Sequence, residues 1–220
     1  MTCPINSLFT SEDMVAEPKI NVPVIGVLAQ TYFNDDHPDS SYIAASYVKY
    51  LEAAGAQVVP VLTDQDEAYY EHVFRQTHGC LFPGGGQNLT ESSYTTAARF
   101  FMARSRQAAA RGLPYPIWAT CLGFEQMVVS IADECLLSRC EAKDIMSTLI
   151  PVQWKSSPYI GSLSNSELLM TGANTYNSHG WCLLESTFYQ NNALNNFFDL
   201  TALSIGIQLF SNNTRSLHDI

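Results

Sequence analysis

The sequence predicts an α/β domain, a three-layer sandwich in which a mainly parallel central sheet carries helices on both faces. Continuous apolar runs of strand length alternate four times with segments of helical periodicity, the pattern of right-handed crossovers in a parallel sheet. Two of the strongest chain breaks fall where a strand hands over to a helix, at Pro83-Gly84-Gly85-Gly86 and at Cys121. Ligands of such sheets collect at those carboxyl ends.

The elements follow in order. Residues 1–20 read as a loose polar leader, and residues 21–220 as one domain. VPVIGVLAQ holds a continuous apolar run over 22–29, the mark of a strand buried on both faces. SYIAASYVKYLEAAG places Ala44, Tyr47, Val48 and Leu51 at helical spacing, with Gly55 set to end the helix. AQVVPVL is the second strand, DQDEAYYEHVFRQ the second helix and GCLF the third strand. A third helix spans about 92–111, IWAT is the fourth strand, and a fourth helix begins directly after Cys121. Beyond Ala142 the pattern changes to short mixed segments, and the residues around Ser204-Ile205-Gly206 read as a hairpin.

With 11 Lys and Arg against 21 Asp and Glu, the formal charge is −10, which argues against non-specific binding of nucleic acid or an anionic membrane. No apolar run reaches the roughly 18 residues of a membrane span. The first residues lack the basic start and apolar core of a signal peptide, which read literally predicts a cytosolic protein. Against that stand sequons at Asn88 and Asn212, weak pointers to a secretory route. Six cysteines, without dense spacing or a Cys-x-x-Cys pair, are read as mostly free thiols.

Cys121 sits where a nucleophile would. A residue between strand and helix occupies a tight turn that exposes its side chain, and the helix N-terminus favours the thiolate. The N–H of Leu122 becomes an oxyanion donor, and Gly84 or Gly85 can present another from the neighbouring loop. Ala119-Thr120-Cys121-Leu122-Gly123 resembles a nucleophile elbow with alanine at one small position. A buried structural cysteine and a plain glycine turn are the competing readings. A phosphate loop is not, since neither Lys-Ser/Thr nor GxGxxG spacing is present.

PVIGVLAQ, YIAASYVKYLEAAGAQVVPV, LFPGG and ATCLGFE closely resemble the gamma-glutamyl hydrolase family, class I glutamine amidotransferase-like cysteine peptidases, over about 22–203. The resemblance implies that Cys121 attacks a γ-glutamyl amide, with Gly85 and Leu122 at the oxyanion position. Its implied substrates are folylpoly-γ-glutamates. It implies no metal or redox cofactor, a lysosomal or secreted location, and a fold that admits a homodimer.

The family's catalytic histidine stands in a His-Pro-Glu sequence on a late strand, and no His-Pro-Glu occurs here. The likeness fades from about Ile207, so the final strand and helix and the usual leader are expected to be absent, as in a truncated product. Of the histidines, His72 and His78 read as surface or packing residues, His37 as solvated, and His218 as too close to the end. His179, in a polar loop between Tyr176 and Trp181, matches a family histidine near the substrate cleft and is the candidate substrate-binding residue. The expectation is weak or absent turnover.

An acidic protein binding an acidic tail must rely on short-range donors, and low pH would ease the conflict. Arg99, Arg104, Arg106 and Arg111 on the third helix are read as a solvated face rather than a tail-binding strip. Two other functions compete: a non-catalytic fragment that binds γ-glutamyl ligands, and a glutaminase-type domain supplying ammonia to a synthetase.

Overall fold

The computed structural model describes residues 22–32, 40–152, 171–173, 175–205, 207–208 and 215–217. The leader, Cys3, His37, Asn212 and His218 lie outside the described residues.

The alternating half folds as its apolar pattern dictates. Strands β1 (Val24–Leu28), β4 (Gln57–Val61), β5 (Gly79–Phe82) and β6 (Ile117–Ala119) form a parallel sheet in the order β4-β1-β5-β6. Two-residue strands β2 (Gln30–Thr31) and β3 (Ser41–Tyr42) pair beside it. GCLF is buried throughout, as expected of a central strand. Right-handed crossovers put α1 (Ala45–Ala53) on one face, and α2 (Glu67–Gln76) and α3 (Ser93–Ala109) on the other. The α2 and α3 helices contact each other and bury Tyr70, Val73, Tyr94 and Phe101 against Leu28, Cys80 and Phe82.

Helix ends obey capping chemistry. Asp66 accepts the N–H of Tyr69 and Ser92 that of Thr95, each satisfying a donor the first helical turn leaves open. Gly55, at φ +86°, takes the left-handed position after α1 that its sequence placement predicts. Arg104, on the face read as solvated, instead bonds Glu71 of α2 and lies 5.2 Å from the Phe74 ring.

The remainder corrects two readings. Helix α4 (Leu122–Ala132) is followed not by short mixed segments but by two ten-residue strands, β7 (Ser138–Ser147) and β9 (Thr175–Leu184). They pair antiparallel at the centre of a second, six-stranded sheet, in the order β11-β7-β9-β12-β10-β8. Its other strands are β8 (Leu149–Pro151), β10 (Ala202–Ile205), β11 (Ile207–Gln208) and β12 (Arg215–Leu217). The residues around Gly206 do not form a hairpin: β10 pairs with β8 and β12, while β11 pairs with β7. Of the five described cysteines, Cys80, Cys121 and Cys135 are free, in line with a reading of mostly free thiols, while Cys140 and Cys182 are joined across β7 and β9. Short helices α5 (Glu185–Gln190) and α6 (Asn192–Phe197) pack Phe188 and Leu194 with Val128 of α4, fastening the two sheets together.

Candidate active site

In the parallel sheet, β1 connects onward to β4 on one side and lies beside β5 on the other, so the strand order reverses there. The crevice outside the carboxyl ends at such a reversal is the natural ligand position. Gln30 follows the end of β1, the glycine loop follows β5, and Cys121 follows β6.

Cys121 has φ +53° and ψ −115°, a backbone conformation that L-residues adopt only when the surroundings impose it. The imposing parts are visible. Thr120 N–H is held by the Phe82 carbonyl, and Cys121 O accepts the N–H of Glu125 as α4 begins. A side chain on Gly123 would run into the Phe82 carbonyl, so only glycine lets the helix start this close to β5. This is the strained strand-to-helix turn of a nucleophile elbow. Leu122 opens α4, where first-turn N–H groups have no acceptor within the helix.

The glycine loop is pinned against the cysteine. Gly84 N–H donates to the Tyr47 hydroxyl at 2.8 Å, and its carbonyl accepts from the Gln30 amide at 2.7 Å. A Cβ on Gly84 would lie 2.9 Å from Cys121 Cβ, and one on Gly85 would collide with the Gln30 carboxamide. Gln30 is wholly buried, and no hydrogen bond satisfies its Oε1. Of the two loop amides, Gly84 is thus engaged by Tyr47, and Gly85 is the one beside it at the cavity wall.

Cys121, Leu122, Gly85, Glu125, His179 and Trp181 line one cavity of about 470 Å³. Two residues singled out 58 positions apart, Cys121 and His179, are therefore brought to one space. His179 is not on a loop; it lies within β9, opposite Ala142 of β7. Burial holds its imidazole below the ordinary value, opposed by its contact with the Trp181 carbonyl at 3.1 Å, so it is neutral at pH 7. His78 bonds the Val24 N–H through Nδ1 and His72 is on α2; neither lines this cavity. Asn88, exposed, lines it at the rim and accepts bonds from Thr90 and Glu91.

Glu125 is the residue sequence reasoning passed over. One turn into α4 and 8% exposed, its carboxyl is pushed up to about 7 by burial. An acid in the mostly apolar stretch LGFEQMVVSIA was the available signal. Cys80, by contrast, is buried at the centre of the parallel sheet, where loss of solvent drives its thiol pKa far up and leaves it inert.

Among the described residues no group of three or more His, Cys, Asp or Glu side chains is placed to hold a metal. No described helix is long and apolar enough to cross a membrane.

The model of the Peptidase C26 family matches residues 23–141, the whole parallel sheet and its elbow. Gamma-glutamyl hydrolase of Mus musculus is 38% identical over 185 residues, covering 81% of this chain and 57% of that protein. The Homo sapiens protein of the same name is 39% identical over 186 residues, covering 81% and 58%. Gamma-glutamyl hydrolase B of Dictyostelium discoideum is 33% identical over 199 residues, covering 83% and 54%. The chain spans a little over half the length of these relatives. A solved structure of PurLQS from Thermotoga maritima aligns with 90% of this chain and 76% of that one at a TM-score of 0.40 and 15% identity, too slight a likeness to bear on the fold. The residues that make the elbow all fall inside the matched segment: the chain belongs to the Peptidase C26 family.

Proposed function

We propose that this chain is a cysteine-dependent hydrolase of γ-glutamyl amide bonds, in folylpoly-γ-glutamates and similar conjugates, acting through a thioester on Cys121. The observation that carries the reading is the positive-φ turn that puts Cys121 at the rim of the cavity. The names of the relatives supply the bond type.

The residues suggest the steps. Cys121 Sγ attacks the γ-carbonyl carbon, and the oxygen takes up negative charge beside the N–H groups of Leu122 and Gly85. Gly84 reaches that oxygen only by giving up Tyr47, so its first role is to hold the turn. Collapse breaks the C–N bond and releases an amine that takes a proton. Water then cleaves the thioester, giving the γ-carboxylate and restoring the thiol. On the acyl side, a conjugate whose γ-glutamyl α-amino group is free would bring an ammonium that draws Glu125 into its ionised form; in a folylpoly-γ-glutamate that nitrogen is acylated and uncharged.

The proton carrier is the weak part. The sequence contains no His-Pro-Glu, and His179 is the histidine that shares the cavity with Cys121 among the described residues. Neutral and half-buried, it can accept a proton, but it is bound to its own strand through the Trp181 carbonyl. Turnover by this chain is therefore expected to fall on the order of 10³-fold or more below a full-length relative. The Cys140–Cys182 disulfide supports an oxidising compartment, in keeping with a lysosomal or secreted protein.

The test is release of glutamate from a γ-glutamyl peptide by the purified chain. Slow release that disappears with Cys121→Ala and falls further with His179→Ala supports the reading. A rate untouched by Cys121→Ala overturns it.

A further inference from the structure

We propose that a second cavity, on the β7–β9 hairpin, receives the leaving half of the substrate, and that Lys143 there selects an α-carboxylate. The inference rests on the γ-glutamyl reading and gives it a leaving-group specificity.

The hairpin cavity, of about 460 Å³, is lined by Glu141, Lys143 and Ile145 of β7 and by Ser178, His179 and Gly180 of β9. The last three also line the Cys121 cavity. The two spaces thus share three consecutive residues as a common wall. At about 3.3 Å per strand residue that wall is roughly 7 Å long, within reach of one or two linked glutamyl units.

Charge distinguishes the two sides. The described lining of the Cys121 cavity contains no Lys or Arg, and its carboxylate is Glu125. That side suits the free amine of an N-terminal γ-glutamyl group and offers no lysine or arginine to a carboxylate. The Lys or Arg that lines the adjoining space is Lys143, which forms no salt bridge among the described residues, whereas the Arg139 guanidinium is stacked 4.6 Å from the Trp181 ring. In a protein of formal charge −10, a carboxylate needs such a local partner.

Glu141 stands in the same cavity, so the subsite holds one charge of each sign. Hydrolysis converts R–CO–NH–R′ and water into R–COO⁻ and ⁺H₃N–R′. Where R′ is an α-amino acid, the departing species is a zwitterion whose ammonium suits Glu141 and whose carboxylate suits Lys143. Ammonia, the leaving group of a glutaminase, would engage neither in this way. The neighbouring Asp144 accepts from the Tyr176 and Ser178 hydroxyls, and with them the charge of Lys143 holds its carboxyl below the ordinary value, so a ligand carboxylate shares Lys143 with Asp144.

The test compares two ligands that differ only in the leaving-side carboxylate, γ-glutamylglycine and γ-glutamylglycinamide. Their dissociation constants are measured by calorimetry on the Cys121→Ala chain, which cannot turn them over, with Lys143 intact and as Lys143→Met. With Lys143 present the carboxylate ligand binds about fivefold more tightly. Lys143→Met removes that preference and leaves the amide's affinity unchanged, a result a purely structural lysine would not give. Equal binding of the two ligands to the Lys143 chain, or a preference that survives Lys143→Met, overturns the lysine's role alone. Failure of both ligands to bind either chain overturns the γ-glutamyl reading with it.

Discussion

The parallel sheet and the β7–β9 hairpin wall the same cavity, but they hold their functional residues by different physics. Cys121, Gly84 and Gly85 are fixed by close packing: a helix seated on a strand through Gly123, a loop clamped by Tyr47 and Gln30. His179 and Trp181 stand on a bulged two-strand ribbon, where register shifts interrupt the pairing and a disulfide ties Cys140 to Cys182 beside them. One wall is set by the core. The other is set by a covalent staple and by strand pairing, with Arg139 stacked 4.6 Å from the Trp181 ring.

Cutting the staple is the sharpest way to separate the two. Cys140 and Cys182 are 42 residues apart, so loss of loop closure by Cys182→Ser is expected to cost about 4 kcal/mol. In hydrogen exchange the loss should concentrate in β7 and β9, with β1 and β5 still protected. Uniform loss across both sheets would show that the hairpin is not a separate unit.

Gly123→Ala attacks the other wall. Its new methyl meets the Phe82 carbonyl, which cannot move without shifting β5, and a cost of about 3 kcal/mol is expected by chemical denaturation. Reactivity of Cys121 should fall with it. An alanine tolerated at under 1 kcal/mol would mean that α4 is not seated as described.

Glu125→Gln gives a pH-dependent change of opposite sign. Burial raises this carboxyl from 4.5 to about 7 in the fold, so its contribution to stability is fully present below 4.5 and lost as pH rises through 7. The glutamine variant never has to ionise. It should be more stable than the parent by about 3 kcal/mol at pH 8, with the gain vanishing near pH 4. A gain independent of pH would place Glu125 in solvent.

The smallest expected effect is Tyr47→Phe, about 1 kcal/mol, because it leaves Gly84 N–H without its acceptor. Thiol reactivity at Cys121 should drop more than stability does, since the loop loses its alignment before the core loses packing.

The same contrast explains what could be read in the sequence. The apolar runs of β1 and β5 and the helical stripes of α2 and α3 each report their own burial, so the parallel half and its elbow were visible one segment at a time. In β7 the buried Cys140 and Ala142 do alternate with exposed Arg139, Glu141 and Lys143. Charged residues at every second position concealed that strand's period. The disulfide and the pairing that sets His179 opposite Ala142 and Lys143 opposite Ser178 depend on the register between β7 and β9, which neither strand encodes alone. Glu125 was hidden for another reason: its significance is the solvent it loses, and that needs the cavity.

The central claim, that the turn after β6 makes Cys121 a nucleophile, is tested most directly by trapping. The chain is treated with a glutamine-like electrophile and the modified cysteine is located by peptide mapping. The account predicts a single adduct on Cys121, slowed by a competing γ-glutamyl peptide and absent in Cys121→Ala. Modification confined to exposed Cys135, or unaffected by the competitor, would contradict it.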